Sequence, residues 1–116
     1  MGHKESLETK RQEILQQMSA ITRMRRGTVN EQYFEVREKD GSVHRRGPYF
    51  LYSRTEKGKS FSQRVSLEDV DRYREETDNC RRFKELSGRC VMICEALAEA
   101  DDESREKKRP KQKRKG

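Results

Sequence analysis

The period of the apolar residues changes twice along this chain, at Gly27 and again at Ser66, and that double switch limits the folds open to it. Between the two points Tyr33, Phe34 and Val36 are strand formers, although their alternation is imperfect. Asp40-Gly41 then gives a strong hairpin signal, with both residues expected at the centre of a turn that needs positive φ. Ser42–Arg46 reads as the return strand and Gly47-Pro48 as its break, because proline has no amide proton for a central strand. Pro48–Arg54 is the most strand-like run; Glu56–Lys59 turns it, and Ser60–Val65 returns. Two hairpins of this kind predict an antiparallel sheet of three to four strands.

Helical patterns flank the sheet. Leu7, Ile14, Leu15, Met18 and Ile21 share one side of a helix predicted over 4–24, with Arg25, Arg26 and Gly27 as its stop. Ser66-Leu67-Glu68-Asp69 is a variant of the capping box, and Val65 with Val70 can staple the entry of a second helix. From there Val70, Tyr73, Thr77, Cys80, Phe83 or Lys84, Ser87, Cys90, Cys94 and Leu97 form a weak seam of small residues. The second helix is expected to run from Ser66 to about residue 100, with a kink near Gly88, and the two helices to pack antiparallel. The fold class is thus α+β: an N-terminal helix, antiparallel β-hairpins, a long C-terminal helix and a disordered basic tail. One domain is expected over 1–104 and the tail over 105–116.

Of the 116 residues, 29% are apolar and 42% charged, so the core is thin and support from a partner or a second copy is expected. No apolar run is long enough to span a membrane, and no secretory signal follows the first charges. Met1–Ser6 fits a loose myristoylation pattern that chance often supplies, so no membrane partner is expected. The cysteines Cys80, Cys90 and Cys94 are odd in number and lie in one helical segment. They read as small thiols of a helix seam in a reducing, cytoplasmic compartment rather than as a disulfide framework or metal site.

The net charge of +7 is unevenly placed. Residues 23–64 hold 11 Lys/Arg against 5 acids, 65–104 hold 6 against 12, and the segment from Arg105 onward holds 8 against 1. No phosphate loop or nucleophile motif accompanies the two histidines, so the chain is not expected to be an enzyme or to need a cofactor. The basic middle points to nucleic acid instead. Arg25, Arg26, Arg45, Arg46, Arg54, Lys57, Lys59 and Arg64 are its candidate phosphate contacts, since guanidinium forks suit phosphate oxygens. The interleaved Tyr33, Phe34, Tyr49, Phe50, Tyr52 and Phe61 can stack on bases, though aromatics in a small sheet mostly build its core. In the tail, Lys107, Lys108, Arg109, Lys111, Lys113, Arg114 and Lys115 can bind phosphates without sequence preference. The same composition fits a nuclear-import signal or a solubilising tail.

Gly27-Thr28-Val29, His44–Arg54, Gly58-Lys59 and Arg81-Arg82-Phe83 together give the chain a resemblance. Over roughly 14–97 it resembles a family of small uncharacterised prokaryotic proteins, a domain of unknown function encoded beside transposases and other mobile-element genes. Many of those relatives carry hairpin cysteines and a histidine directly before Gly-Pro, a pattern suggestive of metal. This chain has no cysteine between Gly27 and Pro48, and Arg45 and Arg46 separate His44 from Gly47, so no metal is expected. The resemblance implies a prokaryotic cytoplasm and mobile-element DNA or structured RNA as ligand. The resulting expectation is an accessory nucleic-acid-binding protein of transposition or recombination, with a protein partner from that system or self-association. The alternative is a protein adaptor whose acidic second helix docks on a recombinase or nuclease.

Overall fold

The structure, a computed structural model, describes residues 2–108, with side chains through Glu106. Helix α1 (His3–Ala20) is followed by strands β1 (Thr28–Arg37), β2 (Val43–Glu56) and β3 (Lys59–Val65), and then by helix α2 (Val70–Lys108). The strands form one antiparallel sheet in the order β1-β2-β3, which is the predicted α+β class at its smaller strand count. The chain divides into two compact units, Arg23–Arg82 and the pair of terminal segments outside it.

In the unit Arg23–Arg82 the sheet buries Phe50, Tyr52 and Val65 against Val70 of α2, with Val29 and Tyr73 packed on the cluster. Burial of each large apolar side chain contributes about 1.5–3 kcal/mol, so this small cluster holds the sheet to the helix. The rings of Tyr52 and Tyr73 meet edge-on with centroids 5.4 Å apart. The Tyr52 hydroxyl donates to the carbonyl of Arg26, which gives the buried ring a polar partner. The cap of α2 follows the sequence, although the helix begins at Val70 and not at Ser66: Ser66 Oγ accepts from the Asp69 amide at 3.3 Å, and Val65 and Val70 are both buried. Ser66→Ala is therefore expected to cost about 1 kcal/mol, read as a lowered urea midpoint.

The turns differ from the sequence expectation. At the first hairpin Gly41 alone has positive φ, and its amide donates to the Glu38 carbonyl at 3.0 Å. Lys39 and Asp40 thus occupy the centre of the turn and Gly41 follows it, as in three-residue hairpin loops. The Asp40 carboxylate accepts from the Ser42 amide and hydroxyl, which holds its pKa below the ordinary carboxylate value. The two-residue turn with both φ values positive is Lys57-Gly58.

Gly47-Pro48 does not break the return strand. β2 runs through it with a cis Gly47-Pro48 peptide, and Gln32 pairs with Tyr49 while Phe34 pairs with Arg46. Tyr33 alone stands opposite both Gly47 and Pro48, which is a bulge on β2. A bulge leaves one residue outside the hydrogen-bond ladder, and proline has no amide to contribute there.

α1 ends at Ala20, short of the predicted residue 24. The backbone is already extended at Ile21, whose amide donates back to Met18. Ile21 and Thr22 are β-branched and extend a helix poorly. In the other unit, the Arg25 amide donates to the Glu76 carbonyl at 2.9 Å and the Asn79 side chain to the Arg23 carbonyl at 3.0 Å, so this stretch is tied to α2.

In the unit of the terminal segments, α1 runs antiparallel to the later part of α2. Lys4 lies 2.5 Å from Asp101, and Met18 lines a groove with Cys90 and Val91. The buried residues are Leu7, Ile14 and Leu86. The predicted seam needs correction here: Cys94 is exposed, whereas Leu86 is buried and Ile93 partly so. Aliphatic side chains gain more from burial than a thiol, and they set which side of the helix packs. α2 also continues unbroken through Gly88 and beyond residue 100, so Arg105 through Lys108 are helical rather than disordered. Arg105 lies one turn after Asp101, a favourable charge spacing in a helix. Residues 109–116, with the tail cations Arg109, Lys111, Lys113, Arg114 and Lys115, lie outside the described residues.

Candidate nucleic-acid interface

A strand points successive side chains to opposite faces, so the register sorts the sheet into two surfaces. Val29, Glu31, Phe50, Tyr52, Gln63 and Val65 share the face that α2 covers. Arg74 of α2 reaches this face too, 3.0 Å from Glu31 and 5.1 Å over the Phe50 ring. The opposite face carries Asn30, Gln32, Tyr49, Leu51, Ser53, Ser62 and Arg64.

The bulge decides what joins that second face. Without it, Arg46 would share the side of Phe50. With one extra residue at Gly47-Pro48, Arg46 falls opposite Phe34 and beside Tyr49. The rings of Phe34 and Tyr49 are tilted with centroids 5.3 Å apart, and the Arg64 guanidinium lies 3.9 Å over Tyr49. This gives a row Arg64, Tyr49, Phe34, Arg46 across the sheet. Phe34 is 49% exposed, although aromatics in a sheet this small were expected mainly as core. Tyr33 and Phe61 are exposed as well, and only Phe50 and Tyr52 among the six are buried.

No paired position on this face is acidic: Glu31, Glu35 and Glu56 all alternate to the other side. Among the described residues Arg46 and Arg64 have no ion-pair partner. A depression of about 330 Å³ adjoins the row, lined by Pro48, Tyr49, Arg64 and Leu67 among others. His44 stands on the same face as Arg46, 3.0 Å from Glu38 at the hairpin mouth.

The structure does not gather all of the predicted cations. Arg25 pairs with Glu76 at 2.8 Å and lies 4.2 Å over the Tyr73 ring, so it fastens the 23–27 segment to α2. That hydrogen bond raises the Arg25 pKa above its ordinary value. Arg26 is exposed next to Gly27. Arg45 stacks over Tyr33 on the helix-side face, and Arg54, on that face also, pairs with Glu56 at 3.4 Å. Lys57 and Lys59 stand at the far turn. Among the described residues of the set, Arg46 and Arg64 are the strand cations on the open face. Phe34 and Tyr49 are among six aromatics able to stack on bases, and the one sequence signal that sets which cations join them is the glycine-proline step that reverses the strand's facing.

Cys80 is buried, Cys90 half-buried and Cys94 exposed. Burial first and the neighbouring Cys94 second push the Cys90 thiol up, which disfavours its thiolate. Among the described residues no group of three or more His, Cys, Asp or Glu is placed to hold a metal ion, and no helix is long and apolar enough to cross a membrane.

The chain matches no family model, no curated protein and no solved structure.

Proposed function

We propose that this protein binds nucleic acid through the open face of its sheet. The observation that carries the reading is the sheet face with no acid at a paired position, on which Arg46 and Arg64 flank the Phe34–Tyr49 pair. A polyanion approaching its paired positions meets cations and neutral groups, and the nearby carboxylate of Glu38 is 3.0 Å from His44 at the hairpin mouth. The cations of the tail add attraction that does not depend on sequence. The resemblance to proteins encoded beside transposases supplies a setting, as an accessory factor of a mobile genetic element in a prokaryotic cytoplasm.

A titration of the purified full chain with labelled nucleic acid over a salt series tests this reading. Expected is an affinity that falls linearly with the logarithm of salt concentration, by about one unit of slope for each phosphate neutralised. Absence of binding at low salt would sink it.

One observation favours the adaptor alternative. From Glu85 to Glu103 helix α2 has six acids and one cation, Arg89, while Val91 and Met92 are 55% and 71% exposed. On that reading a basic protein docks on the helix and supplies the nucleic-acid contacts. Protein purified alone would then show no affinity for DNA or RNA.

A further inference from the structure

We infer that the ligand of the open face is a single strand, DNA or RNA, whose unpaired bases stack on Phe34 and Tyr49. The inference rests on the nucleic-acid reading above and narrows it to one class of ligand. In a duplex the base faces are occupied by one another, so an exposed ring such as Phe34 in the middle of a binding surface has nothing to stack on. An unpaired base offers its π-face to any aromatic side chain. Here the two rings are adjacent: Phe34 is half-exposed, Tyr49 is partly buried with the Arg64 guanidinium over one side of its ring, and neither Arg46 nor Arg64 has an ion-pair partner among the described residues. Arg46 and Arg64 suit the phosphates on either side of a stacked base.

Two further features favour a single strand. The depression beside Tyr49 and Arg64, about 330 Å³, is at the lower end of the volumes that hold small organic ligands, roughly 300–1,000 Å³. An unpaired base can turn into it, and a paired one cannot. The rest of the face carries Asn30, Gln32, Ser53 and Ser62, neutral groups able to meet base edges and sugars. Entry of the first hairpin into a duplex groove is poorly served by contrast. Its end, 35–46, has four Lys/Arg against three acids, Glu35, Glu38 and Asp40. That ribbon is close to neutral where a groove would require positive charge.

The test uses the full chain at near-physiological salt with four probes: oligo(dT) and oligo(U) of about 15 nucleotides, a duplex of equal length, and an abasic strand of the same phosphate count. Expected is binding of at least one base-bearing single strand about tenfold or more tighter than the duplex and the abasic strand. The stronger of the two single strands identifies the polymer, and either result supports the inference. Phe34→Ala and Tyr49→Ala are each expected to lower single-strand affinity about tenfold and to leave duplex binding unchanged. The abasic probe needs no altered protein, so it decides the matter even if Tyr49→Ala fails to fold. Equal affinity for all four probes would overturn the inference and leave the nucleic-acid reading standing. Binding of none would overturn both.

Discussion

Reversing Arg46 and Arg64 together to glutamate is expected to weaken nucleic-acid binding about 100-fold at moderate salt, about tenfold for each cation lost. The matched reversal of Arg45 and Arg54 is expected to change it less than threefold. The two pairs have the same charge and lie on the same strands or their neighbours, so net charge cannot separate them. Facing does. Arg46 and Arg64 lie on the face with no acid at a paired position, whereas Arg45 stacks on Tyr33 and Arg54 pairs with Glu56 on the helix side. The reversed open face would repel phosphates at the centre of the surface. Far-ultraviolet dichroism of each double variant checks the fold, and the affinity ratio between the pairs is the readout. Equal losses would mean that the protein attracts nucleic acid only by total charge, and the open face would have no special role.

Gly27→Ala is expected to cost about 3 kcal/mol or more of stability, against about 1 kcal/mol for Gly58→Ala. Both glycines have positive φ, +123° and +78°, so both substitutions strain the backbone. Their surroundings differ. A Cβ on Gly58 meets nothing within 4 Å, whereas one on Gly27 runs into the Ser53 carbonyl and comes within 2.9 Å of the Tyr52 ring. The carbonyl belongs to the central strand and the ring to the core cluster, so neither can yield cheaply. The displaced chain would also pull the Arg26 carbonyl from the Tyr52 hydroxyl. Urea unfolding followed by near-ultraviolet tyrosine dichroism separates the two glycines. Similar midpoints would show that the sheet and the Tyr52 ring relax around the added methyl.

Local chemistry in the sequence was enough for several elements. Ser66 with Asp69, stapled by Val65 and Val70, marked the start of α2 because capping involves only neighbours in the chain. The Lys57-Gly58 turn and the strands beside it were legible for the same reason. So was the packing side of α1, where Leu7 and Ile14 fall on one stripe. Packing between distant segments decided the rest. α1 stops at Ala20 while the chain that follows is tied to Glu76 and Asn79, partners more than 50 residues away. The later stripe of α2 follows Leu86 and Ile93 instead of Cys94 because burial against another helix, and not spacing, selects it. The site depends most on tertiary structure. Arg45 and Arg46 are neighbours and face opposite ways in any strand, and the bulge opposite Tyr33 decides that Arg46 is the one on the side of Tyr49. The residue types needed to bind a polyanion are written in residues 23–64, but which of them act together is set by the one extra residue that β2 takes up in pairing with β1.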